Sequence, residues 1–133
     1  MNFTLALLLL LFCTSTVFGQ NDELAISFKK GENFYKKNCA VCHSKKGTGK
    51  GKRYPPLAGS DYLMNNRTES IKAVKYGLEG KITVNGVVYD KVMKAIDLNE
   101  EGIADVMNYV MNAWGNRSDK MVTEDEVSAL LKD

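Results

Sequence analysis

Cys39 and Cys42 stand three residues apart, and His43 follows at once. On one helical turn, positions i, i+3 and i+4 share a face. The two thiols can therefore reach the two vinyl groups along one edge of a porphyrin, while the imidazole turns under the ring toward iron. This spacing is the attachment signature of c-type haem, and it makes His43 the proximal ligand. A thioredoxin-like dithiol would need a strand ahead of it and a βαβ frame around it. Here a helical pattern precedes the pair and a Gly/Lys-rich loop follows. A zinc site needs four ligands, and the chain has no second Cys/His cluster.

His43 is the only histidine, so one chain cannot supply bis-histidine coordination. Methionine is the remaining strong partner for the iron. Met107 and Met111 lie on an apolar helical stripe and read as core. Met64 and Met121 sit near expected helix ends. Met93 lies in a loop, where the backbone could aim its sulfur at iron, although methionine is also a common gap-filler. Spacing alone leaves these alternatives open.

These groups must be held by a mainly helical frame. Phe28, Gly31, Phe34, Tyr35 and Asn38 recur at helical spacing up to Cys39. Ser27 is the expected N-cap, with Asn21–Ile26 as an extended lead-in. Ser44–Arg53 holds three glycines and five cations and reads as an exposed, mobile loop. It lacks the spacing and preceding strand of a phosphate loop. Tyr54–Gly59 is stiffened by Pro55 and Pro56. Ser60 or Asp61 starts a short helix through Met64, and Thr68 is the expected cap of a helix over 69–77 carrying Ile71, Val74, Tyr76 and Leu78. β-Branched residues flank Asn85-Gly86, the signal of a hairpin with a type I′ turn. Asp90–Leu98 is a loop. Asn99 caps the next helix, with Leu98 and Ile103 as a staple and Ile103, Val106, Met107, Val110, Met111 and Trp114 as its apolar stripe. Gly115 is the expected stop. Thr123 and Glu126 form a capping box for a last helix, with Val122 and Val127 as its staple.

The ordered set resembles the small, soluble, single-haem class I cytochromes c of the bacterial type. The matching pieces are Gly31, Tyr35, Cys39–His43, Pro55-Pro56-Leu57-Ala58-Gly59, Ile82–Tyr89, Met93 and Ile103–Val110. The resemblance implies a mainly α class I cytochrome c fold, with four or five helices wrapped around one covalently attached haem c and a short β-hairpin before the methionine loop. It further implies that the Pro55 carbonyl accepts a hydrogen bond from the proximal histidine, and that Leu57 forms part of the haem wall. Gly31 and Tyr35 would meet Val106 and Tyr109 of the later helix, and Met93 would be the distal ligand, so that His43 and Met93 hold the metal. Lys94 departs from the pattern. Proline often follows this methionine in the subgroup, and its replacement leaves the ligand loop less rigid.

The first nineteen residues carry no charged side chain, and Leu5–Phe12 is almost continuously apolar. This reads as a signal peptide over 1–19, cleaved after Gly19, with a cytochrome c domain over 20–133. The alternative is an uncleaved membrane anchor, but the apolar run falls short of the roughly 20 residues that span a bilayer, so cleavage is favoured and no membrane span is expected after it. Phe12 stands where a lipoprotein signal wants a small residue before Cys13. The expected location is the bacterial periplasm. Cleavage leaves Cys39 and Cys42 as the only cysteines, and both are used by haem.

From Lys29 to Arg53 there are nine Lys/Arg and one acid, and from Asp97 onward nine acids and three bases. Such asymmetry can orient approach to a charged redox protein. Docking near the exposed haem edge through Lys45, Lys46, Lys50, Lys52 and Arg53 is the expectation, while Lys29, Lys30, Lys36 and Lys37 equally fit a solvated helix face. A net charge of +2 in an exported chain argues against nucleic acid. Asn66-Arg67-Thr68 and Asn116-Arg117-Ser118 are glycosylation sequons by pattern only, without meaning in a bacterial chain. The leading reading is a one-electron carrier and not an enzyme, since the sole histidine is spent on iron. The alternatives are a ligand-binding haem protein (sensor or weak catalyst) with an open distal site, and a fixed haem subunit of a larger oxidoreductase.

Overall fold

The computed structural model describes residues 15–132. Cys13 and most of the expected signal peptide therefore lie outside the described residues. Helix α1 (Ser15–Asn38) runs into a single further turn, α2 (Ala40–His43). A short α3 (Asp61–Asn65) and α4 (Arg67–Tyr76) are separated only by Asn66, and strands β1 (Ile82–Val84) and β2 (Val87–Tyr89) form the hairpin. Helices α5 (Glu100–Val110) and α6 (Glu124–Leu130) complete the chain.

Helix α1 buries a stripe of Ser27, Gly31 and Tyr35. The expectation of an extended Asn21–Ile26 is corrected: this stretch is helical, because it contains neither proline nor glycine to stop propagation. Ser27 is likewise not a cap. It sits mid-helix, and its hydroxyl donates to Asp105 Oδ1 at 2.6 Å and accepts from Asn108 Nδ2 at 2.9 Å. Gly31 allows α1 to lie directly on α5. A methyl group there would sit 2.6 Å from the Asp105 carbonyl carbon and 2.9 Å from Tyr109 Cβ. Around this crossing Tyr109 packs edge-on against Phe28 at 5.0 Å between centroids and tilted against Tyr35 at 5.2 Å, and Trp114 closes on Tyr35 at 5.0 Å. Such aromatic contacts add to area burial.

Helices α3, α5 and α6 are capped at the expected residues. Ser60 Oγ accepts from Leu63 N, Asn99 Oδ1 from Gly102 N and Thr123 Oγ1 from Glu126 N. Two boundaries and one burial differ. Helix α4 starts at Arg67 with Asn66 as its cap residue, two positions before the expected start at Glu69, because Arg67 is drawn in by partners described below. Tyr76 is exposed and not core. Helix α5 ends at Val110 with Met111 as its cap, and Trp114 and Gly115 form a separate left-handed corner with φ of 55° and 89°.

The hairpin pairs Ile82 with Tyr89, Thr83 with Val88 and Val84 with Val87. Asn85 and Gly86 have φ of 50° and 78°, as a type I′ turn requires. A two-stranded hairpin is marginal alone. This one leans on α3: Asn85 N donates to Asp61 Oδ1 at 2.7 Å, and Asp61 N donates to Asn85 Oδ1 at 3.0 Å. Val84 and Tyr89 turn inward and are buried.

Candidate haem site

Helix α1 positions the first thiol. Cys39 N donates to Tyr35 O at 2.9 Å, and the next turn closes through Cys42 N and His43 N onto Cys39 O. Both cysteines are free and half-buried. Burial, and secondarily the neighbouring Cys42, push the Cys39 thiol up to about 11, so it is held protonated.

The Ser44–Arg53 segment is stitched, and its expected wholesale exposure is corrected. Gly49 N donates to His43 O, while Leu57 N and Ala58 N both donate to Gly47 O at 2.7 and 2.9 Å. Tyr35 Oη donates to Ser44 O at 2.7 Å. Gly47 is buried under Trp114: at its φ of 67°, an added Cβ would lie 2.6 Å from the indole Cε3. The cations of this segment are exposed, but Gly47 and Gly49 form the floor on which Pro55–Ala58 rests.

His43 Nδ1 donates to the Pro55 carbonyl at 2.9 Å. Burial pushes the imidazole pKa down, and this hydrogen bond opposes the shift. A neutral ring whose Nδ1 carries the proton leaves the Nε2 lone pair available as a metal ligand.

Cys39, Cys42, His43, Pro55, Leu57 and Met93 all line one cavity of about 480 Å³, within the usual range for cofactor sites. Val74, Leu78, Val84, Tyr89 and Ile96 are among the residues that complete its mainly apolar wall. Of the methionines weighed from sequence, Met93 and Met107 border the cavity and Met64, Met111 and Met121 do not. Met107 belongs to the buried stripe of α5.

The loop carrying Met93 is anchored by backbone hydrogen bonds on either side of Lys94. Met93 exchanges both backbone hydrogen bonds with Leu78, each at 2.9 Å, and Ile96 N donates to Val74 O at 2.9 Å. Gly77, at φ 80°, lets the loop approach closely, since a Cβ there would lie 2.6 Å from Met93 O. The Leu78–Met93 pair escaped sequence reading because an isolated bridge has no periodicity. Gly77 directly after a helical run was its available signal.

A large apolar ring with one reactive edge fits this enclosure: two thiols, an imidazole and a methionine side chain border one mainly apolar volume. The Cytochrome c family model matches residues 28–114. The chain belongs to the cytochrome c family. It is a class I c-type cytochrome, a monohaem electron carrier with covalently attached haem c. One cytochrome c-552 of Thermus thermophilus is 36% identical over 116 residues, covering 80% of this chain and 78% of the relative. A second Thermus thermophilus cytochrome c-552 is 38% identical over 101 residues, covering 69% of this chain and 77% of the relative. The cytochrome c subunit of the quinone alcohol dehydrogenase of Gluconacetobacter polyoxogenes is 31% identical over 104 residues, covering 75% of this chain but 22% of that protein. As a cytochrome, the chain has redox proteins as its partners. No helix among the described residues is long and apolar enough to cross a membrane.

Proposed function

We propose that this cytochrome is an exported periplasmic shuttle, with residues 1–19 removed, that carries single electrons and catalyses no reaction of its own. Cys39 and Cys42 hold the haem through thioethers, His43 is the proximal ligand and Met93 the distal one. Pro55 orients His43 through its carbonyl, and Leu57 packs as part of the haem wall. The observation that carries this reading is the cavity wall, where both thiols, the Nδ1-committed imidazole and the Met93 thioether meet. When bound, the haem would supply a one-electron iron couple, which a methionine ligand raises in potential. The chain's own part would be to supply His43 and Met93 as the two protein ligands and to exclude water with a mainly apolar wall.

Docking of an acidic redox partner uses the loop cations. Among the described residues, Lys45, Lys46, Lys50, Lys52 and Arg53 take part in no ion pair, whereas Lys29 and Lys36 are paired with Glu32 and Lys30 with Glu101. The α1 cations are therefore partly neutralised in place, and the loop cations keep their field for a partner.

Met93→Ala tests the assignment. The oxidised wild-type protein is expected to show a weak near-infrared charge-transfer band from iron–sulfur bonding, and the reduced protein to ignore carbon monoxide. The variant should lose the band, fall in reduction potential and bind carbon monoxide. A variant that keeps the wild-type band and potential would place the ligand at another methionine. Ready binding of carbon monoxide by the wild type would favour the ligand-binding reading. The match to dehydrogenase cytochrome subunits favours a second reading, that of a fixed subunit. Co-purification with a dehydrogenase at constant stoichiometry would decide for it.

A further inference from the structure

Helix α5 is followed by a backbone corner that two successive left-handed residues build, Trp114 (φ 55°) and Gly115 (φ 89°). Positive φ at a residue as bulky as tryptophan is an outlier that the surroundings must hold. The corner sends two side chains onto the segment that supports His43. Trp114 covers Gly47, the residue whose carbonyl accepts from Leu57 N and Ala58 N. Asn116 spans the gap itself. Its Nδ2 donates to Leu57 O and to Val110 O, each at 2.8 Å, and its Oδ1 accepts from Gly59 N at 2.8 Å. Both amide hydrogens are thus committed, and the carboxamide acts as a joint in place of the sequon its neighbours spell.

We infer that Asn116 is a positioning residue for the His43 ring, locking Leu57–Gly59 to the end of α5 and so fixing the Pro55 carbonyl that receives the His43 Nδ1 proton. Pro55 and Pro56 make the short link from Leu57 back to Pro55 stiff, so displacement of Leu57 is transmitted to the carbonyl. The inference rests on the reading of His43 as iron ligand. A hydrogen bond at the far nitrogen of a ligating histidine raises its basicity. Loosening it should weaken donation to iron and favour the reduced state.

The test uses holoprotein, with reduction potential and the exchange rate of the His43 Nδ1 proton, followed by nitrogen-15 NMR in the reduced form, as readouts. Asn116→Ala removes all three bonds. Asn116→Asp keeps the acceptor for Gly59 N but sets a carboxylate oxygen against the Leu57 and Val110 carbonyls. Both variants should show a more positive potential and faster Nδ1 exchange than the wild type, with Asp at least as affected as Ala. A lowered melting temperature with wild-type potential and exchange would show a purely structural role and overturn the inference. If neither variant accumulates as holoprotein, Asn116→Ser must show the same two changes, and wild-type values in it overturn the inference equally. An Nδ1 signal without ligand-type shifts in the wild type would overturn the ligand reading and this inference together, which separates that failure from the first.

Discussion

At Gly31 one methyl group has nowhere to go. The atoms it would meet are the backbone of Asp105 and the Cβ of Tyr109, neither of which is the free end of a flexible side chain. Gly31→Ala should therefore push α1 off α5 and cost about 1–3 kcal/mol, despite the better helix propensity of alanine. Urea unfolding should show a lower midpoint at unchanged slope. An unchanged midpoint would mean that the helices separate freely. Gly31 was legible from sequence because a glycine inside an apolar helical pattern has few other uses. Ser27 was misread for the opposite reason: serine is a good cap in isolation, and its actual partner Asp105 is 78 residues away. Asn116 was hidden behind a sequon pattern, since nothing local announces a carboxamide that bridges to Leu57 and Gly59.

Arg67 ties helix α6 to the start of α4, and at the far end of α4 Tyr76 Oη donates to Leu131 O at 3.2 Å. Arg67 Nε and Nη2 donate to the two Glu126 carboxylate oxygens at 2.7 and 2.8 Å, and the same guanidinium donates to the carbonyls of Lys120 and Met121. The capping box expected at Thr123 is thus half-formed: Thr123 receives Glu126 N, while the Glu126 carboxylate is taken by Arg67. Hydrogen bonding from Arg67, more than any other influence, holds the Glu126 carboxyl below its ordinary 4.5. A depressed folded value means that the unfolded chain takes up the proton first. The pair's contribution is therefore full above 4.5 and is lost as pH falls through the folded value. Glu126→Gln should cost about 1 kcal/mol at pH 7, discounted for partial exposure, and nothing once the wild-type carboxyl is protonated. Urea titrations at both ends of that range measure the difference, and a constant gap would show that the pair adds nothing electrostatic. The same clamp explains why α4 begins two residues before its expected start. Element existence was readable from periodicity and caps, but the ends of α1, α4 and α5 were decided by contacts distant in sequence.

Across the whole molecule the charges divide into used and unused. Converting Lys45, Lys46 and Lys50 to glutamine should slow electron transfer to an acidic redox protein several-fold at low salt. The difference should vanish near 1 M salt, where the screening length is about 3 Å. The same change at Lys29 and Lys36 should do little, because Glu32 already answers both. The reverse ranking in stopped-flow rates would move the docking face to α1. At this scale the cysteine–histidine signature made the cofactor legible, and the family pattern drew Pro55 and Met93 toward it. The cavity that joins them was not legible, since it exists only once the hairpin, α4 and α5 close over the thiols. The α1–α5 crossing also bears on timing. A growing chain produces Gly31 and both thiols early, and the Asp105 face against which α1 packs comes much later. Ser27 and Asp105 must close a separation of 78 residues before that crossing exists, and such distant closures form slowly. During that interval the two thiols lie uncovered, so the same separation that delays the crossing keeps them open to attachment, and the docking of α5 ends that access.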